Sequence, residues 1–235
     1  DGTATGRTSC TQPNCFDAQT ELLTPRGWVC LPDLLAGDLV AQWDGGVIEF
    51  VAPTTRVAVR ASTMVTIKLT QVDLRVTPEH RCLLRHRRTG ELRVFRADEY
   101  PEDWMQIHAG EYGGGMLNWS EDFVRLLVAT QADGSWHAGG IVFGFKKRRK
   151  VDRLAGILDR LGAPYSLRPC AFGGWRFRVK VGQVADAVCE TLGAAKVLGA
   201  WVLGLSRDLL DVFVEEVFLW DGCATRMNHY ASKVR

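Results

Sequence analysis

Cys15 and the run Thr77-Pro78-Glu79-His80 are the residues of this chain with the most obvious chemistry. Breaking an amide from within needs a nucleophile, a proton donor for the leaving nitrogen and a way to stabilise the tetrahedral oxyanion. A cysteine thiol, with an ordinary pKa of about 8.5, keeps a small, useful thiolate fraction at neutral pH. It could attack the carbonyl of Asn14 and leave a thioester. Thr77 and His80 place a hydroxyl and an imidazole three residues apart, and Pro78 stiffens the turn so that both can face one spot.

A second group is acidic. Asp133-Gly134 and Asp221-Gly222 each close an apolar helical segment, the first opening at Ser120 and the second near Ser206. Ser120 is suited to N-capping, with Glu121 and Asp122 in the first turn. The glycine after each aspartate could take the left-handed conformation that stops a helix. Two such carboxylates at the same level of paired helices would make a hard-oxygen site for Mg²⁺. A third group is basic. Lys146-Lys147-Arg148-Arg149-Lys150 is a continuous run. Arg176, Arg178 and Lys180 alternate with Phe177, Val179 and Val181, which predicts a strand with one cationic and one apolar face. Such a strand could lie in a groove of duplex DNA while the basic run neutralises phosphates.

The elements that must position these groups fall into two textures. Residues 15 to about 110 read as short strands separated by turns, with Asp44-Gly45-Gly46 a strong hairpin signal. From Gly113 the pattern becomes α/β. Val151, Leu154, Ala155, Leu158 and Leu161 fall at helical spacing, with Gly162 placed to end the helix. The segment from Ser120 to Gly134 resembles that from Ser206 to Gly222, which predicts two copies of one unit about a pseudo-two-fold axis.

Bulk composition excludes several classes. The chain has 235 residues, 46% hydrophobic and 24% charged, with a net charge of +2. That is ordinary globular composition, so nucleic-acid binding must rest on local clusters rather than overall charge. The seven cysteines are scattered with no Cys-x-x-Cys, which indicates neither a zinc knuckle nor a disulfide framework and suits a reducing cytoplasm. No apolar run is long enough to span a bilayer.

Cys15 to Thr24, Gly37-Asp38-x-Val40 and Thr77-x-x-His80 together resemble the splicing motifs of inteins. The segment Leu126 to Gly134 resembles the helix of LAGLIDADG homing endonucleases. The resemblance implies an all-β Hint-type splicing domain, N-terminal portion only, over residues 15–112. An α/β LAGLIDADG endonuclease domain with αββ-type repeats would follow over 113–235, its second repeat incomplete. It implies protein splicing through an N–S acyl shift at Cys15, positioned by Thr77 and activated by His80, without any cofactor. It also implies site-specific double-strand DNA cleavage with Mg²⁺ held at Asp133, Gly134 and Asp221. Lys196, in Lys196-Val197-Leu198-Gly199, would be the lysine that polarises the attacking water, with Lys147 and Lys233 as weaker candidates. Val128, Gln131, Glu215, Glu216 and Trp220 depart from the family pattern, so a DNA-binding form without cleavage is an alternative. Another is autoprocessing that cleaves the N-terminal bond without ligation. The His-Asn end of a complete splicing element is not found; Asn228-His229 has the reverse order. Residues 1–14, with Thr5-Gly6-Arg7 and Pro13-Asn14, resemble a segment of family A DNA polymerases. The expected partners are therefore the flanking polymerase segments and the uninterrupted host-gene DNA, met by a monomer away from membranes.

Overall fold

The computed structural model describes residues 15–58, 60–69, 72–106, 110–137, 140–171, 173–220, 222–223 and 229–230. The chain divides into two compact units, Asp1–Tyr112 and Gly113–Arg235.

The first unit is a set of short antiparallel pairings. Strands β1 (Glu21–Thr24) and β2 (Gly27–Cys30) pair around Pro25-Arg26, and Thr24 Oγ1 donates to the Gly27 carbonyl at 2.7 Å across the turn. Strands β3 (Val40–Asp44) and β4 (Val47–Val51) form a hairpin in register from Val40↔Val51 to Asp44↔Val47. Gly45 and Gly46 hold φ of 58° and 110° in its turn, a left-handed backbone that glycine adopts without steric cost. Strands β5 (Val65–Leu69) and β6 (Val72–Val76) pair, and Val76 of β6 also bridges to Phe16. Strands β7 (Arg81–His86), β8 (Leu92–Arg96) and β9 (Trp104–Gln106) make a three-stranded sheet in the order β8-β7-β9. Strand β10 (Glu111–Tyr112) adds in parallel to β4. The buried centre is small: Ile67, Val76, Cys82, Leu84 and Ala97, with half-buried aromatic rings around them.

The second unit is built around helix α1 (Glu121–Asp133). Ser120 caps it by accepting from the Phe123 amide at 3.2 Å, and Glu121 and Asp122 complement the helix dipole. Val124 and the run from Leu126 to Thr130 are all buried, so this helix is covered on most sides. Strands β11 (Gly134–His137) and β12 (Gly140–Phe145), helix α2 (Arg148–Arg160), strands β13 (Tyr165–Pro169) and β14 (Trp175–Lys180), and helices α3 (Gln183–Leu192), α4 (Trp201–Gly204) and α5 (Arg207–Trp220) follow. The short strands β15 (Gly222–Cys223) and β16 (His229–Tyr230) pair beyond α5. The four long strands form an antiparallel sheet in the order β11-β12-β14-β13. Its inner residues Ile141, Phe143, Phe145, Phe177 and Val179 are buried with the apolar sides of α1, α2 and α3 in one core.

This architecture corrects the expected pairing of a Hint-type β domain with a LAGLIDADG repeat domain. The described chain is mixed, with six separate sheets of two to four strands and five α-helices. In the first unit most of the expected strands form, though Val57 and Ala58, expected in a strand, are in none, and hydrogen bonding divides the strands among small sheets. In the second unit the expected twofold repeat does not appear among the described residues. After α1 come four- and six-residue strands; after α5 the described residues include strand only at Gly222–Cys223 and His229–Tyr230. The helices also differ. The middle of α1 is an unbroken apolar run, while α5 buries a carboxylate, Glu216, against Arg153 of α2.

Candidate functional site

Strand β14 alternates as its sequence predicts. Phe177 and Val179 are buried, and Arg176, Arg178 and Lys180 are exposed on the opposite face. The sheet register brings further residues to that face. Arg176 stands opposite Arg168 of β13 and Gly144 of β12; Arg178 stands opposite Ser166 and Val142; Lys180 stands opposite Gly140. On β11, Ser135 pairs with Val142 and His137 with Gly140. The outer face therefore carries Arg168, Arg176, Arg178 and Lys180, and no carboxylate occupies these described positions. Like charges directly opposite each other on a sheet are destabilising, so Arg168 facing Arg176 is a cost that an anionic ligand would offset. Gly144 puts no side chain beside Arg176. Arg168 was missed in the sequence, although pairing outward from the Phe172-Gly173-Gly174 turn would have placed it across from Arg176.

The basic run is spent mostly inside the unit. Arg148 Nε donates to Asp152 at 2.8 Å, and its guanidinium lies 5.5 Å from the Trp175 ring centre. Arg149 Nη1 donates to the Leu219 carbonyl at 3.0 Å, near the end of α5. Lys150 pairs with Asp133 and sits 5.3 Å from the Trp220 ring centre. Lys146 and Lys147 are exposed just before α2. Of the five expected phosphate-binding residues, those two are exposed and the other three make contacts within the unit.

Asp133 ends α1, and its carboxylate is engaged by Lys150. Lys196 reaches the same helix end, where Nζ donates to the Gly134 carbonyl at 2.5 Å from a residue with φ of 53°. Gly134 does not take the expected left-handed turn. Its φ is −77°, and a Cβ there would lie 2.7 Å from the Thr130 carbonyl oxygen, so close approach rather than handedness requires glycine. Asp221 and Lys233 lie outside the described residues. The described residues contain no group of three His, Cys, Asp or Glu side chains able to hold a metal. The Mg²⁺ expectation thus rests on Asp221 meeting Asp133.

In the first unit Cys15, Thr77 and His80 do come together. The Cys15 amide donates to Thr77 Oγ1 at 3.3 Å, and the Thr77 amide donates to the Cys15 carbonyl at 3.0 Å. The His80 amide donates to the Thr77 carbonyl at 3.0 Å, closing the turn around Pro78. The His80 ring is buried and meets Phe16 edge-on, with centroids 4.4 Å apart. Burial pushes its pKa below the ordinary 6.5, favouring the neutral ring. Its Nδ1 has no hydrogen-bond partner among the described residues. The Cys15 thiol is free and half-buried, at the wall of a cavity of about 740 Å³ lined by Phe16, Leu22, Leu31 and Val40 among others.

No family model matches the chain. A curated protein of Aquifex aeolicus named ribonucleoside-diphosphate reductase subunit beta is 25% identical over 253 residues, covering 88% of this chain and 35% of that protein. The chain thus spans about a third of the length of the relative it matches. Among solved structures, full-length DUF199/WhiA from Thermatoga maritima matches with a TM-score of 0.32 and 17% identity, over 47% of this chain and 37% of that one. The curated relative is not named as a splicing element, an endonuclease or a DNA polymerase. The intein resemblance is corrected on the curated match, whose name belongs to nucleotide reduction. Splicing at Cys15, homing cleavage, autoprocessing and the polymerase flanks go with it. Residues 1–14, which carried the polymerase resemblance, lie outside the described residues.

Proposed function

We propose that the second unit binds double-stranded DNA through the outer face of its four-stranded sheet. The observation that carries this reading is Arg168 opposite Arg176, beside Arg178 and Lys180, on a face where the described positions hold no acid. Guanidinium groups present a planar fork of donors suited to phosphate oxygens and to guanine edges. The apolar side of the same strands is locked into the unit's core, so the backbone behind the charges is fixed. Lys146 and Lys147 extend the contact along the phosphate backbone. The whole face belongs to one unit, so a single copy suffices. No helix among the described residues is long and apolar enough to cross a membrane. Work in a reducing cytoplasm is part of the proposal, supported by Cys15, Cys30, Cys82, Cys170 and Cys189 all being unpaired. The activity of the reductase relative is not carried over, because the match reaches 35% of that protein.

The test is fluorescence anisotropy of the full chain with a short labelled DNA duplex across a salt series. Six phosphate contacts, from Arg168, Arg176, Arg178, Lys180, Lys146 and Lys147, give a slope of log K against log salt of about −5. Replacing Arg176 and Arg178 together by Ala should weaken binding and flatten that slope by about 2. Binding that the double variant leaves unchanged would overturn the proposal.

A further inference from the structure

Strand β8 forms one edge of the sheet β8-β7-β9, and no strand lies beyond it among the described residues. Its bonding pattern is fixed at both ends. The His86 amide donates to the Glu91 carbonyl at 2.8 Å, and the Ala97 amide donates to the His80 carbonyl at 2.9 Å. Bonded and non-bonded pairs alternate in an antiparallel ladder, so Arg93 and Phe95 bond to β7 and their neighbours turn the other way. The amides of Leu92, Val94 and Arg96 and the carbonyls of Leu92 and Val94 therefore face away from the sheet. The side chains there are open as well, with Leu92 43% exposed and Val94 49% exposed.

An edge of this kind is a template for another strand unless proline, free charge or a cover blunts it. Strand β13, an edge of the sheet in the other unit, is blunted. Bonds from Lys180 to the Pro164 carbonyl and from Cys170 to the Gly174 carbonyl set Pro169 on its open side, where it offers no N–H. Strand β8 has no proline, and both its arginines are engaged within the unit. Arg93 Nε donates to Glu91 at 2.7 Å, with the guanidinium 5.8 Å from the Trp104 ring centre. Arg96 grips both oxygens of Asp98, at 2.9 and 2.7 Å.

We propose that β8 pairs with β8 of a second copy of this chain, antiparallel about a two-fold axis at Val94, the middle of the three outward residues. What selects a second copy is self-complementarity. About that axis Val94 exchanges both backbone hydrogen bonds with its own counterpart, and each Arg96 amide donates to the Leu92 carbonyl of the other copy. On the outer face Val94 meets Val94, and Leu92 lies beside the alkyl stem of Arg96. On the inner face Arg93 stands opposite Phe95, a cation against an aromatic ring. No arginine is set directly across from an arginine. Two three-stranded sheets join into one continuous sheet through an isologous contact. The contact is small, so the dimer is weak and set by concentration. It goes beyond DNA binding, for which one copy suffices, and departs from the expected monomer.

The test is sedimentation equilibrium of the full chain over a concentration series, run beside Val94→Lys, Val94→Glu and an equimolar mixture of the two. Val94 is exposed and its backbone makes no bond to β7, so both variants should keep the fold, with hydrogen-exchange protection of β7 unchanged. The parent chain should dimerise reversibly. Each variant sets like charges across the axis and should dissociate about tenfold more readily, whereas the mixture sets Lys against Glu and should regain the parent's association. A parent chain that is monomeric at every concentration overturns the proposal and leaves β8 to a strand of another protein. A dimer that both variants leave intact overturns it too, because another surface then holds the copies together. So does a mixture that associates no better than its components.

Discussion

The two units spend their hydrophobic residues differently. In the second, α1, α2, α3 and the inner face of one sheet converge on a single core that takes in Phe143, Phe177, Leu154 and Trp220. In the first, short hairpins surround a hydrophobic cluster of five buried residues, and much of the remaining apolar surface is half-exposed or borders a cavity. A continuous core resists deformation and can hold charges at fixed spacing on its outer face. Short hairpins with little shared core open locally at low cost. The proposed DNA-binding face belongs to the first kind of construction, and the cavity beside Cys15 to the second.

The largest test of that contrast is Phe177→Ala. Phe177 is fully buried on β14, directly behind the cationic face. Its loss should cost about 3–5 kcal/mol. Hydrogen exchange resolved by peptide should show the second unit losing protection while β5 to β8 keep theirs. Equal loss in both units would mean that they do not unfold separately.

Glu216→Ala should come next, at about 3 kcal/mol. The Glu216 carboxylate is fully buried and accepts from Arg153 Nε at 2.7 Å, Arg153 Nη2 at 2.5 Å and Trp220 Nε1 at 2.6 Å. Removing it strands a guanidinium and an indole N–H together. The double change Arg153→Met and Glu216→Leu removes both charges and should recover much of the loss in a denaturant titration. If the double variant is no better than the single one, the network contributes more than the penalty of a stranded charge.

How far the sequence could be read follows the same division. The Ser120 cap, the helix carrying Val151, Leu154 and Leu158, the glycine hairpin at 45–46 and the alternation along β14 were all visible. Each depends on neighbours within a few residues. What was not visible depends on distant partners. Nothing local to Lys146–Lys150 says that Lys150 meets Asp133, or that Arg149 reaches Leu219. The basic run therefore looked like one DNA-facing patch, yet three of its five side chains, Arg148, Arg149 and Lys150, also bond within the unit. The turn that brings Thr77 and His80 together was legible locally and their closeness to Cys15 was expected from the resemblance to splicing motifs, whereas the walls of the neighbouring cavity were not legible. The intein resemblance drew on short motifs. Such motifs are weak guides to function when read without their structural context.

A smaller effect should come from Arg168→Ala, which removes one member of the opposed arginine pair. It should flatten the salt slope of DNA binding by about 1 while leaving the fold as stable or more so, because the like-charge contact with Arg176 goes with it. Lower affinity without loss of stability would mark the pair as binding residues. Unchanged affinity would restrict the contact to Arg176, Arg178 and Lys180.

The smallest effect concerns His80. Burial lowers its folded-state pKa below the 6.5 of an unfolded histidine. As pH falls through 6.5 the unfolded chain takes up a proton that the folded ring resists, so the unfolded state binds more protons and stability must fall. The contribution of His80 is therefore fully present above 6.5 and is lost as pH drops from there through the folded pKa. Hydrogen exchange of β5 to β7 should speed up over that window, and β12 and β14 of the second unit serve as the internal reference. His80→Gln keeps a polar side chain near Phe16 but cannot titrate, so it should remove that part of the pH dependence. If acid sensitivity persisted in His80→Gln, its source in the first unit would be a group other than this buried ring.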